Sequence, residues 1–441
     1  MITLYDYQRT SADHLLDCLR KRRAALDAAE TGTGKTPKAV TIAQELGLPV
    51  GVVCPLSIIP VWKRWLSEAG IAPQFILNYE QLRTGKTPYG EWVHVPIKGT
   101  VQPNGTVMYD TEEQFSWKLE PEHLIIFDEM HYCKSVDSLN SKLLYAAKKH
   151  HVLMASATPF ASPLDLRASG YLMGLHSGKL KDFYQFAINH GAQRRHAGAN
   201  DLVFYKNDEA LRKLQEKIFP DYGDRVTIKE LGDKFPKSLV IAESYEIDGA
   251  RQLSADLERQ LGELSAKEEN DLENPMTLRL RARQRMELLK IPVMIEKTHE
   301  AIRSGRSMVI FVNFLGTCNV LSAALGAPVI CGGVGAEERE TIREKFQDNS
   351  QPILICQIQT GGTGLDLHDL HGQPRTSIIS PTDKLEDFIQ ALGRLPRAGA
   401  LSPSIQYVLG AAGTVEDKVI RNIQRKTHNL ATLTEVDLSL E

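Results

Sequence analysis

The amino-acid sequence predicts an α/β protein of two parallel-sheet lobes, with helical protrusions and an inserted β-hairpin. Three observations carry that reading. Short, unbroken apolar runs recur in two sets, each ending in polar or glycine-rich residues and followed by helical periodicity; continuous rather than alternating apolarity suits strands covered on both faces. The chain has 441 residues, room for more than one unit at roughly 100–200 residues each. Its composition, 42% hydrophobic and 24% charged, supplies several buried cores and rules out disorder over the whole length.

The first lobe is expected over residues 1–240. Its leading helix starts near Ser11 and ends in Arg20-Lys21-Arg22-Arg23, where cations face the negative end of the helix dipole. Strands follow at 50–54, 124–127 and 152–155. Residues 86–117 contain Pro88-Tyr89-Gly90, the alternating Val93 and Val95, and Pro103-Asn104-Gly105, the marks of an inserted hairpin. From about 164 to 235 charged helical stretches form a protrusion. The second lobe is expected over 241–441 and opens with another helical protrusion at about 250–290. There Leu253, Leu257, Leu261 and Leu264 share one helical face, and Asn274-Pro275 supplies an N-cap and a first-turn proline. Strands are then expected at 308–312, 329–331, 353–356, 377–380 and 405–409, with a C-terminal helix at about 414–430.

Lysine and arginine (52) against aspartate and glutamate (55) give 52 − 55 = −3, so a polyanion would have to be held by a local basic surface. Six cysteines (Cys18, Cys54, Cys133, Cys318, Cys331, Cys356) form no C-x-x-C pair and read as reduced core thiols of an intracellular protein. Residues 1–6 have no basic region leading into an apolar stretch, and no apolar run approaches the ~20 residues that span a bilayer, so neither secretion nor membrane insertion is expected. His131, Cys133, His150 and His151 meet no metal-ligand spacing, which argues against a structural zinc.

The residues that carry chemistry begin at Ala29-Glu30-Thr31-Gly32-Thr33-Gly34-Lys35-Thr36. A glycine-rich turn opening onto a helix points several backbone N–H groups and the positive end of the helix dipole at one place, which suits a triphosphate. Lys35 would reach the β- and γ-phosphates, and the Thr36 hydroxyl would hold Mg2+. Pro37 is tolerated because first-turn amides have no helical partner. A chance Gly/Thr-rich turn would look much the same in isolation. The strand at 124–127, however, delivers Asp128-Glu129-Met130-His131 at its C-terminal end, the edge where ligands bind in open α/β sheets. Asp128 can hold Mg2+ while Glu129 orients and deprotonates the attacking water. Ser156-Ala157-Thr158-Pro159 follows the next strand.

With these motifs in this order, the chain resembles the superfamily-two helicases over nearly its whole length, and most closely their Swi/Snf-like DNA translocase branch. The resemblance implies two RecA-like lobes with ATP bound between them, Thr31, Gly32, Thr33, Gly34, Lys35 and Thr36 cradling the nucleotide. Tyr7-Gln8 looks like the family's adenine-reading segment, with Gln8 the base contact. Val53-Cys54-Pro55-Leu56-Ser57 with Trp62 and Trp65, and then Asn78-Tyr79-Glu80, are similar to motifs that touch one DNA strand, which implies nucleic-acid contacts at Ser57, Lys63 and Tyr79. Phe235-Pro236-Lys237 resembles the junction out of the first lobe, and Leu289-Lys290-Ile291-Pro292 the entry to the second. Gln359-Thr360-Gly361-Gly362-Thr363-Gly364-Leu365-Asp366-Leu367 resembles the motif coupling ATP to DNA, with Thr360 and Gly361 on the DNA and Gly364 on the nucleotide. Gln390-Ala391-Leu392-Gly393-Arg394-Leu395-Pro396-Arg397 places two arginines three apart on what reads as one helical face. In the family such arginines reach the γ-phosphate as arginine fingers.

Ser380-Pro381-Thr382 lacks the tryptophan-asparagine that commonly precedes that proline, Ala400 stands where glutamine is usual, and the connector is short. The resemblance is therefore closer to compact fork-remodelling or phage-type members than to nucleosome remodellers. It implies hydrolysis of ATP with Mg2+, coupled to movement of a monomer along duplex, forked or branched DNA bound without regard to sequence. The hairpin at 86–117 could act as a strand-separating wedge. A nucleic-acid-binding switch that clamps on ATP without moving is the open alternative.

Overall fold

The structure, a computed structural model, describes residues 2–101, 107–195, 202–205, 207–231, 235–265, 275–361, 365–382, 384–414 and 416–417. It divides into two units between Glu230 and Leu231, ahead of the boundary expected at 240. In the first unit the helix Asp6–Arg22 begins before Ser11, because Gln8 Oε1 accepts the Tyr5 N–H and fixes its first turn. It ends where Arg23 turns left-handed (φ 60°) and donates its N–H to Leu19 O.

Ten strands follow: β1 (Ala24–Asp27), β2 (Val50–Cys54), β3 (Phe75–Asn78), β4 (Gly90–Val101), β5 (Val107–Trp117), β6 (Leu124–Asp128), β7 (His151–Ala155), β8 (Gln193–Arg194), β9 (Leu202–Val203) and β10 (Gly223–Asp224). Six of them form one sheet in the order β10-β1-β7-β6-β2-β3, every neighbour parallel. Alternate residues serve opposite faces. Leu26, Ile125, Phe127, Val152 and Met154 enter one core, while Ala25, Val52, Leu124, Ile126 and Leu153 enter the other. That two-sided burial is why the strands read as unbroken apolar runs.

The hairpin β4–β5 is antiparallel, with a register shift between Pro96 and Lys98. Its root is locked into the first core. Phe75 stacks on Trp117 at 5.8 Å between centroids, Trp117 meets Phe127 edge-on at 6.3 Å, and the indoles of Trp92 and Trp117 donate to Leu82 O (3.0 Å) and Leu143 O (3.1 Å). Residues 102–106, which include the expected Pro103-Asn104-Gly105, lie outside the described residues. The span 164–235 is helical at Arg167–Met173, Leu180–Asn189 and Asp208–Ile218, but it also holds the β8–β9 pair and β10, which joins the main sheet.

The second unit contains β11 (Ser238–Tyr245), β12 (Ser307–Val312), β13 (Val329–Ile330), β14 (Ile353–Gln357), β15 (Arg375–Ile379) and β16 (Ser404–Ala411). They form a parallel sheet in the order β11-β16-β15-β12-β14-β13. β11 moves the unit boundary: its ladder to β16 runs from Ser238 opposite Ser404 to Tyr245 opposite Ala411, which assigns residues 238–240 to this unit. The helices Ala250–Ser265 and Pro275–Leu289 precede β12, and Met286 packs with Ala250 and Ala411. Beyond residue 414, only 416 and 417 are described, so the C-terminal helix expected to 430 falls almost wholly outside. No described helix is long and apolar enough to cross a membrane. All six cysteines are free, and five of them are buried.

Candidate active site

Since the six strands of the first sheet run the same way, the segments leaving their C-terminal ends share one edge. Across the sheet these are 225–231 after β10, the loop 28–34 after β1, Ser156-Ala157-Thr158 after β7, Asp128-Glu129 at the end of β6, Pro55-Leu56-Ser57 after β2 and Tyr79 after β3. Topology thus gathers residues that lie far apart in the chain.

The phosphate-type loop is held from both sides. Gly34 caps the helix Lys35–Leu46 in a left-handed conformation (φ 94°), and a Cβ there would fall 2.1 Å from Gln8 Nε2, so only glycine fits. Gln8 Nε2 donates to Thr33 O (2.9 Å), the Tyr7 hydroxyl donates to the same oxygen (3.1 Å), and Thr33 Oγ1 donates to Glu30 O (2.8 Å). Lys35 Nζ donates to Ala29 O (2.9 Å) and Glu30 O (3.2 Å). Loss of hydration lowers the Lys35 pKa, opposed by the charges of Glu129, Asp27 and Asp128. Beneath the loop, buried Lys38 pairs with buried Asp27 (2.9 Å) and donates to Ser11 Oγ (2.9 Å), while Asp27 Oδ1 accepts the Ala29 N–H (3.1 Å).

At the end of β6, two strands over from β1, Asp128 is buried. Its Oδ2 accepts the Trp62 indole N–H (2.8 Å) and its Oδ1 the Glu129 N–H (2.9 Å). Burial first, and then the charge of Glu129, push the Asp128 carboxyl up to about 7, against the Trp62 hydrogen bond and Lys35. Glu129 takes a left-handed backbone (φ 52°), uncommon for a residue with a Cβ. His131 Nδ1 lies 3.2 Å from Glu129 Oε2 and 3.2 Å from Ser156 Oγ, and Ser156 Oγ accepts the Thr158 N–H (3.1 Å). One imidazole therefore ties the acidic pair to the segment after β7. Burial and the Glu129 charge together disfavour ionisation of Asp128, and a divalent cation at this acidic pair would relieve both. Asp128 has the carboxylate and Thr36 the hydroxyl that could hold it. No group of three or more His, Cys, Asp or Glu side chains suited to a metal ion occurs among the described residues.

Several expected contacts are placed differently. Tyr79 is 4% exposed and its hydroxyl donates to Asp128 O (2.8 Å), so it braces the acidic strand end instead of presenting itself to nucleic acid. Gln8 has its carbonyl on the Tyr5 N–H and its amide on Thr33 O, so it also supports the loop. Ser57 lies in the short turn Leu56–Ile58, and Lys63 is exposed on the helix Ile59–Glu68.

In the second unit, β14 runs into the short helix Ile358–Gly361, which carries Thr360 and Gly361; Gly364 lies outside the described residues. The helix Leu385–Leu392 ends before Arg394, so Arg394 and Arg397 occupy the following turn and not a helical face. They still converge, because Arg394 Nη1 and Arg397 Nη2 both donate to Leu365 O (3.2 Å each), and Arg397 also pairs with Asp366. At the sheet's carboxyl edge buried Lys290 donates to Glu416 Oε1 (2.6 Å) and Ser380 Oγ (3.0 Å). The Asp27–Lys38 pair went unassigned on sequence grounds, Trp62 was read only within a DNA-touching motif, and His131 was weighed only as a metal ligand. A lysine beside Ala39, Val40, Ile42 and Ala43 was the one usable signal, since a charge on an apolar face calls for a buried partner.

Fold and site together define a nucleotide-binding α/β enzyme whose loop 29–36 and acidic pair meet at one sheet edge. A family model, the helicase conserved C-terminal domain, matches residues 290–399. The chain is 33% identical over 460 aligned positions to an inferred ATP-dependent RNA helicase of Acanthamoeba polyphaga mimivirus, covering 99% of this chain and 84% of that protein. An inferred ATP-dependent helicase/translocase of Bacillus subtilis (strain 168) is 25% identical, over 95% of this chain and 49% of its own length. Among solved structures, the Sulfolobus solfataricus SWI2/SNF2 ATPase core in complex with dsDNA covers 99% of this chain and 98% of its own, at 16% identity and a TM-score of 0.36. The chain belongs to the superfamily-two helicases and is an ATP-dependent enzyme of that family.

Proposed function

We propose that this protein is a Mg2+-ATP-driven translocase that moves along DNA without reading its sequence. The observation that carries the reading is the meeting of Lys35, Asp128, Glu129 and Ser156 at one sheet edge, with His131 between Glu129 and Ser156. Backbone N–H groups of residues 32–36 receive the phosphates, and Lys35 exchanges the Ala29 and Glu30 carbonyls for them. Thr36 and Asp128 would hold Mg2+, which when bound neutralises phosphate charge. Glu129, steadied by His131, orients the attacking water and takes its proton. Arg394 and Arg397 leave Leu365 O and Asp366 to stabilise charge on the γ-phosphate. Ser57, Lys63, Thr360 and Gly361 contact the DNA backbone, and contacts to the backbone carry no sequence information.

The test is ATP turnover with single-stranded DNA, duplex DNA of several lengths, forked DNA and RNA. Turnover that rises with duplex length supports a motor, whereas slow turnover indifferent to nucleic acid supports a clamp. RNA is an arm of the test because the mimivirus relative is named an RNA helicase; stronger stimulation by RNA than by DNA would reassign the track. The locked root of β4–β5 favours a second reading, that the hairpin splits strands as a wedge. Replacing 90–117 by a short Gly/Ser loop should then keep DNA-stimulated turnover and lose fork unwinding. Equal retention of both activities leaves a plain translocase, and a melting curve on the same protein excludes misfolding.

A further inference from the structure

Glu30 sits inside the phosphate-type loop, and its side chain is turned to the segment that follows β10. It is 7% exposed, and Oε2 accepts the Ile228 N–H at 3.0 Å. Its backbone N–H donates to Val226 O (3.0 Å), continuing a ladder in which Leu26 N donates to Tyr222 O and Ala28 N to Asp224 O (2.9 Å each). The approach is close enough that a Cβ on Gly223 would lie 2.2 Å from Leu26 O. Strand β1 and its loop are thus zipped, residue by residue, to the segment 222–228. That segment ends in the turn Ile228–Leu231, whose own cap is reciprocal: Thr227 N donates to Glu230 Oε2 (3.0 Å) and Glu230 N to Thr227 Oγ1 (3.1 Å). From Leu231 the chain continues into the second unit.

The same residue receives Lys35. Glu30 O accepts from Lys35 Nζ (3.2 Å) and from Thr33 Oγ1 (2.8 Å). When a phosphate draws Lys35 away, this carbonyl loses its ammonium donor and keeps only Thr33, so the balance of pulls on the Glu30 peptide shifts toward Val226. The carboxylate one residue's breadth away holds the first amide of the exit turn. We infer that Glu30 is a positioning residue that couples the place of Lys35 to the segment 225–231, so that nucleotide occupancy is transmitted to the chain leaving the first unit. The inference rests on the nucleotide-site reading above. Burial, set against the Ile228 hydrogen bond and the charges of Arg225 and Lys35 and reinforced by Glu230, pushes the Glu30 carboxyl up to about 7. A carboxyl that gives up that much of its preference for charge is held by its surroundings, and Glu30→Gln imitates its protonated form.

The experiment is hydrogen exchange of the peptide 225–231 in the full chain, with and without the slowly hydrolysed analogue ATPγS and Mg2+, alongside turnover and nucleotide affinity. In the unaltered protein, nucleotide should change exchange at 225–231 by about tenfold, the scale of one hydrogen bond to a charged group. Glu30→Ala should exchange fast with or without nucleotide, bind the analogue within about threefold of normal, and lose about tenfold in DNA-stimulated turnover. Glu30→Gln, which keeps an acceptor, should recover most of that loss. Ile228→Pro removes the donor from the other side at a helix-start position that tolerates proline, so it should repeat the Glu30→Ala pattern even if the alanine variant folds poorly. Exchange at 225–231 that ignores nucleotide in the unaltered protein overturns the inference, as does DNA-stimulated turnover left unchanged in both variants. Lys35→Ala separates the two readings: normal turnover there sinks the nucleotide site itself, whereas a dead Lys35→Ala with normal Glu30→Ala and Ile228→Pro sinks only the coupling.

Discussion

The edge of the first sheet and the arginine turn of the second unit are built on opposite plans. In the first, each functional side chain has a dedicated neighbour: Asp128 has Trp62 and the Glu129 amide, Glu129 has His131, and the loop has Gln8, Tyr7 and the Lys38–Asp27 pair below it. In the second, Arg394 and Arg397 hold Leu365 O and Asp366, the residues directly after the glycine-rich stretch they are proposed to act with. The first is preorganised and needs mainly to receive a ligand. The second has to exchange partners before its charge can serve another group, which is how a catalytic contribution can be made conditional.

That contrast is broken most severely by Lys35→Ala and Glu129→Gln. The first should abolish turnover with loss of nucleotide affinity. The second should retain affinity and cut turnover about 10²–10⁴-fold, the usual worth of a positioned general base. Near-normal turnover in Glu129→Gln would remove it from the water-activating role. On the conditional side, Arg394→Ala or Arg397→Ala should lower turnover about 10²–10³-fold with little change in nucleotide affinity, because the charge acts on the transition state. Arg397→Lys tests geometry, since a lysine cannot fork between Leu365 O and Asp366. If both alanine variants keep DNA-stimulated turnover, the arginines belong to the structure of their own turn.

The supports should respond in stability more than in chemistry. Lys38→Met leaves Asp27 charged and buried without its partner, and should cost about 3–5 kcal/mol in the first unit by denaturant unfolding. A change below ~1 kcal/mol would mean that water reaches the pair. Trp62→Phe removes one donor to Asp128 Oδ2 and should cost about 1–3 kcal/mol.

The last effect concerns acid. His368 in the second unit is pushed down to about 4, first by burial and then by the charge of Arg397. Its folded pKa lies below its unfolded one, so the neutral ring contributes no pH-dependent loss above about 6.5. As pH falls from there toward 4 the unfolded chain takes up the proton first, and stability drops by up to ~1.4 kcal/mol per pH unit. His368→Gln should flatten that slope; an unchanged slope removes His368 as its source.

Much of this was legible in the chain. Strands buried on both faces announce themselves, and Asp128-Glu129 is readable because an apolar run delivers it. β1 escaped, since Ala-Ala-Leu-Asp between a basic helix end and a loop has no strand-like composition; its state is imposed by neighbours β7 and β10. β11 escaped because an edge strand is only half covered, with Leu239 56% exposed. Tyr79 and Gln8 show the other limit. Motif order brought them to the correct sheet edge, but which way a hydroxyl or amide turns depends on partners tens of residues away.

The locked root of the hairpin has a consequence for how its length can vary. Phe75, Trp117 and Phe127 fix where β4 and β5 leave the sheet, next to the strand that ends in Asp128. Everything beyond that aromatic clamp is an arm whose pairing repeats every two residues. Matched insertions or deletions of two residues in both strands would lengthen or shorten its reach while keeping each side chain on its face. A single-residue change in one strand would turn over one side of the arm or demand a bulge like that at Pro96–Lys98. The length of the arm can therefore change while the sheet edge beside Asp128 stays as it is.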